Sequence, residues 1–573
     1  MSNTTNRPLR LAMLVATVVC CYATFLQATE QRVNPALVAL HDQQTPTLTR
    51  VGERVYASMF YEYSNFAFIE GDDGIIVVDT GWFKSGTQKA FDDLRALTDK
   101  PIVAVIYTHS HRDHTGGASI LLEGVQDDIP IYAPFGWQRA VNDRLSPLTP
   151  TVSRRIYLQM GMLLPRGPEG TVGQGIGPSP IPEPNEFLSH PPNIEINEPT
   201  DVTIAGVKMQ ILPMQGDMPE NIWVWLPEDK ILFVGDAPPH GVFPAIETAR
   251  FEIDRDPYEM LHSVEHAIAL APEYIVPGHS RLLRGTSDVR HVLNMNRDAI
   301  SWVIDQVDRY YLQNKSVEQL LAELELPTGI ASDPDLQPGY HRWEWMVRQR
   351  YIKQSGFIDD SMDYLKLNEV DEALRLVPLL GGRERVLALA NQLTTDDPRW
   401  AARLATYLLL LDPDDNAAAQ ARQAAFLSVA QTTLSANERN YMLGLIKEER
   451  GEIDFSTMLA PLEIRRMKAL STSAILRSFK SRFATEDAGQ LHAHLQLHVD
   501  GVHEATLQVR NGVLYVDSPQ PATNAETPII SLSRETLESV GARTRSWQQA
   551  LNSKLIEVAG DSVLAKRVLA LIE

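Results

Sequence analysis

Through the first half of the chain, short β-branched and aromatic runs alternate with stretches of helical period. Between about residues 51 and 278 the apolar runs are bounded by Gly, Pro or Asp. This predicts strands over 54–58, 66–70, 75–79, 103–108, 202–205, 208–212, 221–226, 231–235 and 274–276. Helical spacing predicts helices over 85–98, 136–145 and 257–270. Residues 165–192 are crowded with Gly and Pro and predict a long irregular loop, suited to a lid over a site.

From 288 to about 450 the period is helical throughout. Leu404, Leu408 and Leu411 recur at i, i+4 and i+7, and Asp397-Pro398 and Pro413 punctuate the run, so a helical bundle is expected. After about residue 462 the pattern changes again. A helix over 471–483 precedes a strand over 491–499 whose apolar face is Leu491, Ala493, Leu495, Leu497 and Val499. Asn511-Gly512 between two β runs predicts a hairpin, strands follow over 528–533 and 555–559, and a helix over 562–572 ends a separate α+β unit.

Composition narrows the function. At about 150 residues per domain, 573 residues make three or four folding units. With 52 basic and 73 acidic residues the net charge is -21, which would repel phosphate backbones and argues against nucleic acid as a partner. The two cysteines, Cys20 and Cys21, both lie in the N-terminal apolar run. The body of the protein therefore has no disulfide and no thiol nucleophile, and any metal must be held by His, Asp and Glu. Arg7 and Arg10, the apolar run 11–26 and Ala28 have the pattern of a signal peptide over 1–28, which predicts a periplasmic or secreted protein; an uncleaved anchor is the other reading.

The segment that carries chemistry is Tyr107-Thr108-His109-Ser110-His111-Arg112-Asp113-His114-Thr115-Gly116-Gly117. Three imidazoles and a carboxylate within six residues form a nitrogen and oxygen ligand set suited to zinc. His109 and His111 project to one side, and Asp113 and His114 can turn to a second ion. Asp217, Asp236 and His279 lie in loops after predicted strands, where ligand sites concentrate. Each alone is as easily a turn residue; together they complete two metal sites.

His-x-His-x-Asp-His at 109–114, the later Gly235-Asp236 and Gly278-His279 resemble the metallo-β-lactamase superfamily, whose fold is an αβ/βα sandwich. The segments 64–71, 106–111, 153–155 and 163–170 narrow the resemblance to the zinc-dependent alkylsulfatases. It continues through residues 349–352, similar to the start of that family's helical dimerisation domain, and into a C-terminal sterol-carrier-like domain. The resemblance implies a multidomain α+β protein: a catalytic domain over 29–290, a helical dimerisation domain over 291–455 and an α+β domain over 463–573. It implies that His109, His111 and Asp217 bind one Zn2+ and that Asp113, His114 and His279 bind another. Asp236 would bridge, Glu220 would stand in if Asp217 could not reach, and Asp113 and Asp236 would be catalytic. Family positions that are glutamate are Asp217 and Asp236 here, with their separation of 19 residues kept, and a family tyrosine is Met160. Arg250 would hold the sulfate, with Arg255 nearby, and Arg154 and Arg155 would orient a lid or a subunit contact.

The expected enzyme is a homodimeric binuclear zinc hydrolase. It would cleave sulfate esters of alkyl alcohols through a metal-bound hydroxide, taking amphiphilic substrate at a micelle or membrane surface. The same centre acting on another ester, a lactone or a β-lactam is one alternative; a lipid carrier with a vestigial metal site is another. His492, His494 and His498 share one strand face and are expected to be solvated. Trp343, Trp345 and Met346 are expected to pack or to meet a second subunit.

Overall fold

In the computed structural model, the residues described are 32–572 except 126–128, 144–147, 184–189, 240, 248–254, 360 and 523–525. The signal-peptide segment and Arg250 lie outside them. The chain divides into two compact units: one runs to Ala140 and resumes over Ile156–Glu452, the other holds Val141–Arg155 and the chain from Ile453.

The first unit is built on two sheets. One has seven strands in chain order: β1 (Thr47–Val51), β2 (Val55–Met59), β3 (Phe66–Glu70), β4 (Ile75–Val78), β5 (Ile102–Ile106), β6 (Ile131–Pro134) and β7 (Ile194–Ile196). The first four form an antiparallel meander, and β4 to β7 run parallel. The other sheet has the order β13-β12-β11-β10-β9-β8, from β8 (Thr200–Ile204), β9 (Val207–Pro213), β10 (Ile222–Leu226), β11 (Ile231–Gly235), β12 (Tyr274–Pro277) and β13 (Leu283–Arg284).

The inner faces meet in one apolar layer, with Val55, Ala57, Ile69, Ile76 and Ile106 against Met209, Ile211, Val224, Leu226 and Phe233. The outer face of the second sheet, including Trp223, Trp225, Leu232 and Ile275, is covered by the helices Pro257–Leu270, Thr286–Leu312 and Trp343–Ser355. Strands β4, β10 and β11 are buried on both faces, which is why they read as unbroken apolar runs. The architecture is the expected αβ/βα sandwich.

The helical stretch follows as expected. Asp397 caps the helix Pro398–Leu411 by accepting from Trp400 N, with Pro398 at its first turn. Leu404, Ala405 and Leu408 of that helix pack on Val386, Ala390 and Ala418 of its neighbours. Trp343 packs edge-on against Trp302 at 5.6 Å, and Met346 is core. Among the described residues no helix is long and apolar enough to cross a membrane.

The second unit carries a five-stranded sheet ordered β16-β15-β14-β17-β18, from β14 (Ala493–Val499), β15 (Val502–Arg510), β16 (Val513–Asp517), β17 (Ile529–Leu532) and β18 (Ile556–Ala559). Asn511 (φ 53°) and Gly512 (φ 70°) turn β15 into β16, as the Asn-Gly pair predicts. Ala493, Leu495, Leu497 and Val499 are core. His492 is exposed and His494 and His498 are half-buried, with His498 stacked on His503 at 4.9 Å.

The long Gly/Pro loop differs from its expectation as a lid. Its described part is tied down by the helix Ala436–Glu449. The Arg439 guanidinium donates to the carbonyls of Arg32, Pro168, Gly170 and Ala430 at 2.7–3.2 Å, and Asn440 Nδ2 donates to the Gly173 carbonyl at 3.2 Å. Arg154 lies over the Phe455 ring at 5.7 Å.

Candidate metal centre

Every candidate ligand projects from a loop or short turn at one end of the sandwich. His109 and His111 follow β5, and Asp113 and His114 lie in the single helical turn Arg112–Thr115. Asp217 lies between β9 and β10, Asp236 follows β11 and His279 follows β12. Four stretches distant in sequence thus converge where strands end.

They form two overlapping groups. His109, His111, Asp217 and Asp236 offer one atom each within 4.8 Å of one another, and so do Asp113, His114, Asp236 and His279. His109 Nε2 lies 3.7 Å from both Asp217 Oδ1 and Asp236 Oδ2, and His111 Nδ1 lies 3.2 Å from Asp217 Oδ2. Nε2 of His114 and of His279 are each 3.4 Å from Asp113 Oδ2 and 3.2 Å from an Asp236 oxygen. Asp236 belongs to both groups. All these side chains are buried except that of His111, which is 16% exposed and marks the open side.

Burial and mutual charge set their protonation. Burial pushes His109 down to about 3, with His114 adding to the effect against the pull of Asp217 and Asp236, so its imidazole is neutral. Burial also opposes charge on His114 and His279. There the carboxylates win: Asp236, Asp113 and Asp79 raise His114 well above its ordinary value, and Asp236 and Asp113 raise His279 to about 10. Asp113 and Asp236 resist burial in the same way, held well below the usual carboxylate range by those two imidazoles. Asp217 is lowered too, with His111 outweighing burial and Asp236. Acidic groups gathered in a dry pocket draw in positive charge, and protons on His114 and His279 serve where cations would.

The donor set fits metal ions on a further count. His109 Nε2, His114 Nε2 and Asp217 Oδ1 are buried atoms with no hydrogen-bond partner. Such orphaned groups cost about 1–3 kcal/mol each, unless something not drawn from the protein satisfies them.

Residues beyond the ligands fix the arrangement. Asp79, at a left-handed φ of 58° just past β4, accepts from Thr108 N at 2.8 Å and from His114 Nδ1 at 2.8 Å. The His279 Nδ1 proton points at the Tyr63 carbonyl, 3.0 Å away. Asn65 Nδ2 donates to the carbonyls of Pro277 and Ser280, and Ser64 Oγ donates to the Asp113 carbonyl. The Ser64-Asn65 pair therefore ties both halves of one group together. At Gly278 a Cβ would fall 2.5 Å from Asp236 Oδ1, so that loop can approach only without a side chain.

Glu220 stands outside both groups, its Oε1 accepting from Ser110 Oγ at 2.6 Å. Arg255, named beside Arg250 for the sulfate, lies against the centre, where its guanidinium donates to Asp217 and to the Ala245 carbonyl. Met160 packs with Tyr63, Trp82, Ile176, Val242 and Tyr340 in an apolar wall, whose Tyr63 ring lies 4.4 Å from the His279 ring. Asp79, Tyr63 and Arg255 as partners of the ligands were missed by sequence reading. The available signal was Asp79-Thr80-Gly81 directly after an apolar run.

Three family descriptions match consecutive stretches of the chain. They are the metallo-beta-lactamase superfamily over residues 61–279, alkyl sulfatase dimerisation over 316–452 and alkyl sulfatase C-terminal over 463–573. The chain belongs to the alkylsulfatase family of the metallo-β-lactamase superfamily. Its relatives within the alkylsulfatases include a linear primary-alkylsulfatase of Pseudomonas sp. (strain ATCC 19151), 29% identical over 465 residues, which are 78% of this chain and 88% of the relative. An (R)-specific secondary-alkylsulfatase of Pseudomonas sp. is 24% identical over 559 residues, 92% of this chain and 81% of that one. The solved structure of the stereoselective inverting sec-alkylsulfatase Pisa1 from Pseudomonas sp. superposes with a TM-score of 0.76 at 23% identity, covering 94% of this chain and 87% of that one, which supports the fold.

Proposed function

We propose that this alkylsulfatase-family chain hydrolyses sulfate esters of alkyl alcohols at a centre of two zinc ions. It is an enzyme: the curated relatives that it matches along most of their length are alkylsulfatases, which are sulfuric ester hydrolases. His109, His111 and Asp217 would hold one ion and Asp113, His114 and His279 the other, with Asp236 shared. The observation that carries the reading is the overlap of two four-membered ligand groups at Asp236, together with their buried, unsatisfied donor atoms.

When bound, two zinc ions supply a water-derived nucleophile near neutral pH and positive charge for the departing oxygen. The chain's own residues supply the rest. Asp79 and the Tyr63 carbonyl hold the Nδ1 protons of His114 and His279, so that Nε2 of each faces the centre. Asp113 and Asp236 are the carboxylates beside which the attacking water would give up its proton. The wall of Tyr63, Trp82, Met160 and Tyr340 gives an alkyl chain an apolar surface beside His279. Arg255 is bonded to protein groups; Arg250 would take the sulfate oxygens, a role for which the sequence resemblance is the support.

Homodimerisation is part of the proposal. The dimerisation match supports it, and so do Phe357, Met362, Tyr364, Leu365 and Leu379, which are mostly exposed in the helical stretch. Export to the periplasm or beyond, and passing contact with micelles or membranes that carry the substrate, complete the picture.

Purified protein loaded with zinc should carry two ions per chain and release inorganic sulfate from dodecyl sulfate, and Asp236→Ala should lose both properties. Turnover of a lactone or a β-lactam instead of the sulfate ester would keep the centre and overturn the substrate. A protein that takes up no metal would favour the carrier reading.

A further inference from the structure

Arg255 touches a proposed ligand, yet the chemistry above gives it no task. Its side chain is 4% exposed. Nη2 donates to Asp217 Oδ2 at 3.2 Å, Nε donates to the Asp217 carbonyl at 3.2 Å, and Nη1 donates to the Ala245 carbonyl at 2.6 Å. One planar fork thus grips both the side chain and the backbone of a single residue. Oδ2 of Asp217 also lies 3.2 Å from His111 Nδ1 and is fully engaged from the protein side. Oδ1 is the oxygen left over, buried, without a hydrogen bond, 3.7 Å from His109 Nε2.

Arg255 is itself braced from the helix Trp343–Ser355. Lys353 Nζ donates to the Arg255 carbonyl at 2.7 Å and pairs at 2.7 Å with Glu247 Oε2, whose side chain has no exposed surface. A buried carboxylate does not release a cation paired at this distance cheaply, so Lys353 is a fixed post.

We propose that Arg255 is a positioning residue for the first metal: its fork occupies Asp217 Oδ2 and turns Oδ1 alone toward the ion beside His109. This rests on the two-metal reading above and names the part of the chain that sets one ligand's orientation. The competing explanation is simple charge balance, a cation placed to offset Asp217 and Asp236. The two explanations differ in sign. Removing a mere counter-charge lets a dication bind more tightly, whereas removing a positioning contact weakens it, by about 10- to 100-fold for partners of this kind.

The test is a zinc titration of the full chain against a chromophoric chelator, for the unaltered protein, Arg255→Met and Arg255→Lys, with melting curves on the same samples. Both variants should bind one of the two ions about 10- to 100-fold more weakly. Lysine should fail to restore it, because an ammonium has no planar fork to span Oδ2 and the backbone carbonyl. Because Arg255→Lys keeps a cation in the buried position, it still reports if Arg255→Met does not fold. Cobalt in place of zinc should show an altered visible spectrum in both. Arg255→Met binding zinc as tightly as the unaltered protein, or more tightly, overturns the proposal, and so does Arg255→Lys binding like the unaltered protein. If the unaltered protein binds no zinc, the centre itself falls, an outcome distinct from the other two.

Discussion

Replacing Asp79 with asparagine isolates one proton. The Asp79 carboxylate takes Thr108 N at 2.8 Å on Oδ1 and His114 Nδ1 at 2.8 Å on Oδ2. Once a metal ion displaces the second proton, this obliges His114 to keep its remaining proton on Nδ1 and to turn a lone pair on Nε2 toward the centre. In Asp79→Asn the amide oxygen keeps the Thr108 bond, and the NH2 group lies against Nδ1. The favoured tautomer then reverses and places the hydrogen on Nε2, where it blocks coordination. Compared with the unaltered protein, the ligating tautomer in the variant has lost a hydrogen bond to a charged group, about 1.5–3 kcal/mol. At 1.4 kcal/mol per factor of ten, the ion at His114 should bind about 10- to 100-fold more weakly. The Thr108 N bond survives, but the metal-free protein loses the carboxylate that helps to raise His114, so its melting temperature should fall, and the zinc affinity is read separately from that loss. Zinc titration with parallel calorimetry reads both quantities. Two ions bound at unaltered affinity would show that Asp79 does not set the His114 tautomer.

Three further outcomes follow from other parts of the molecule. Arg439→Met leaves four carbonyls without their donor; at about 1 kcal/mol each it should cost roughly 4 kcal/mol, seen as earlier urea unfolding and faster protease cutting near residues 165–177, and an unchanged midpoint counts against the brace. Burial pushes Glu62 up to about 8 against the pull of the Phe83 and Trp82 backbone N–H groups. A carboxyl raised on folding stabilises the protein below its unfolded value and loses that contribution as pH rises through the folded one. Stability should therefore fall between pH 4.5 and about 8 by up to about 1.4 kcal/mol per pH unit, and Glu62→Gln should flatten the slope in denaturation series across that window. Leu365→Asp with Leu374→Asp, both at exposed positions, should give monomers by light scattering without loss of helix; a dimer that persists places the interface elsewhere.

What could be read from the sequence tracks how locally each feature is encoded. Strands β3 and β11 are found at their predicted limits, because an unbroken apolar run between breakers is a local signal. β1, with Thr, Arg and half-exposed positions, and β6, four residues ending in Pro134, are below that threshold and become strands through pairing with β2 and β5. The helix Thr149–Gln159 was likewise missed. The 109–114 cluster declares itself because its spacing is its geometry. Asp217, Asp236 and His279 are ligand candidates by their place in loops after predicted strands, with the family resemblance assigning each to an ion, and the structure gathers all three beside the cluster. The bonds from Asp79 to His114 and from Arg255 to Asp217 join residues 35 and 38 positions apart, and such pairings leave no trace in local pattern. The lid reading of the Gly/Pro loop failed for the same reason, since its anchor Arg439 lies about 270 residues downstream.

The helix bearing Lys353 and the one bearing Arg439 both stand outside the sandwich in sequence, yet their cations are bonded to its loops, at Glu247 and the Pro168–Gly170 backbone. The hydrolase core has given part of its own scaffolding to segments that a shortened version would discard. A truncation ending near residue 290 would strand a buried anion and unfasten a loop packed against the catalytic domain. The helical appendage is therefore not a detachable accessory, and recombination that trades it between relatives must carry its anchoring cations along.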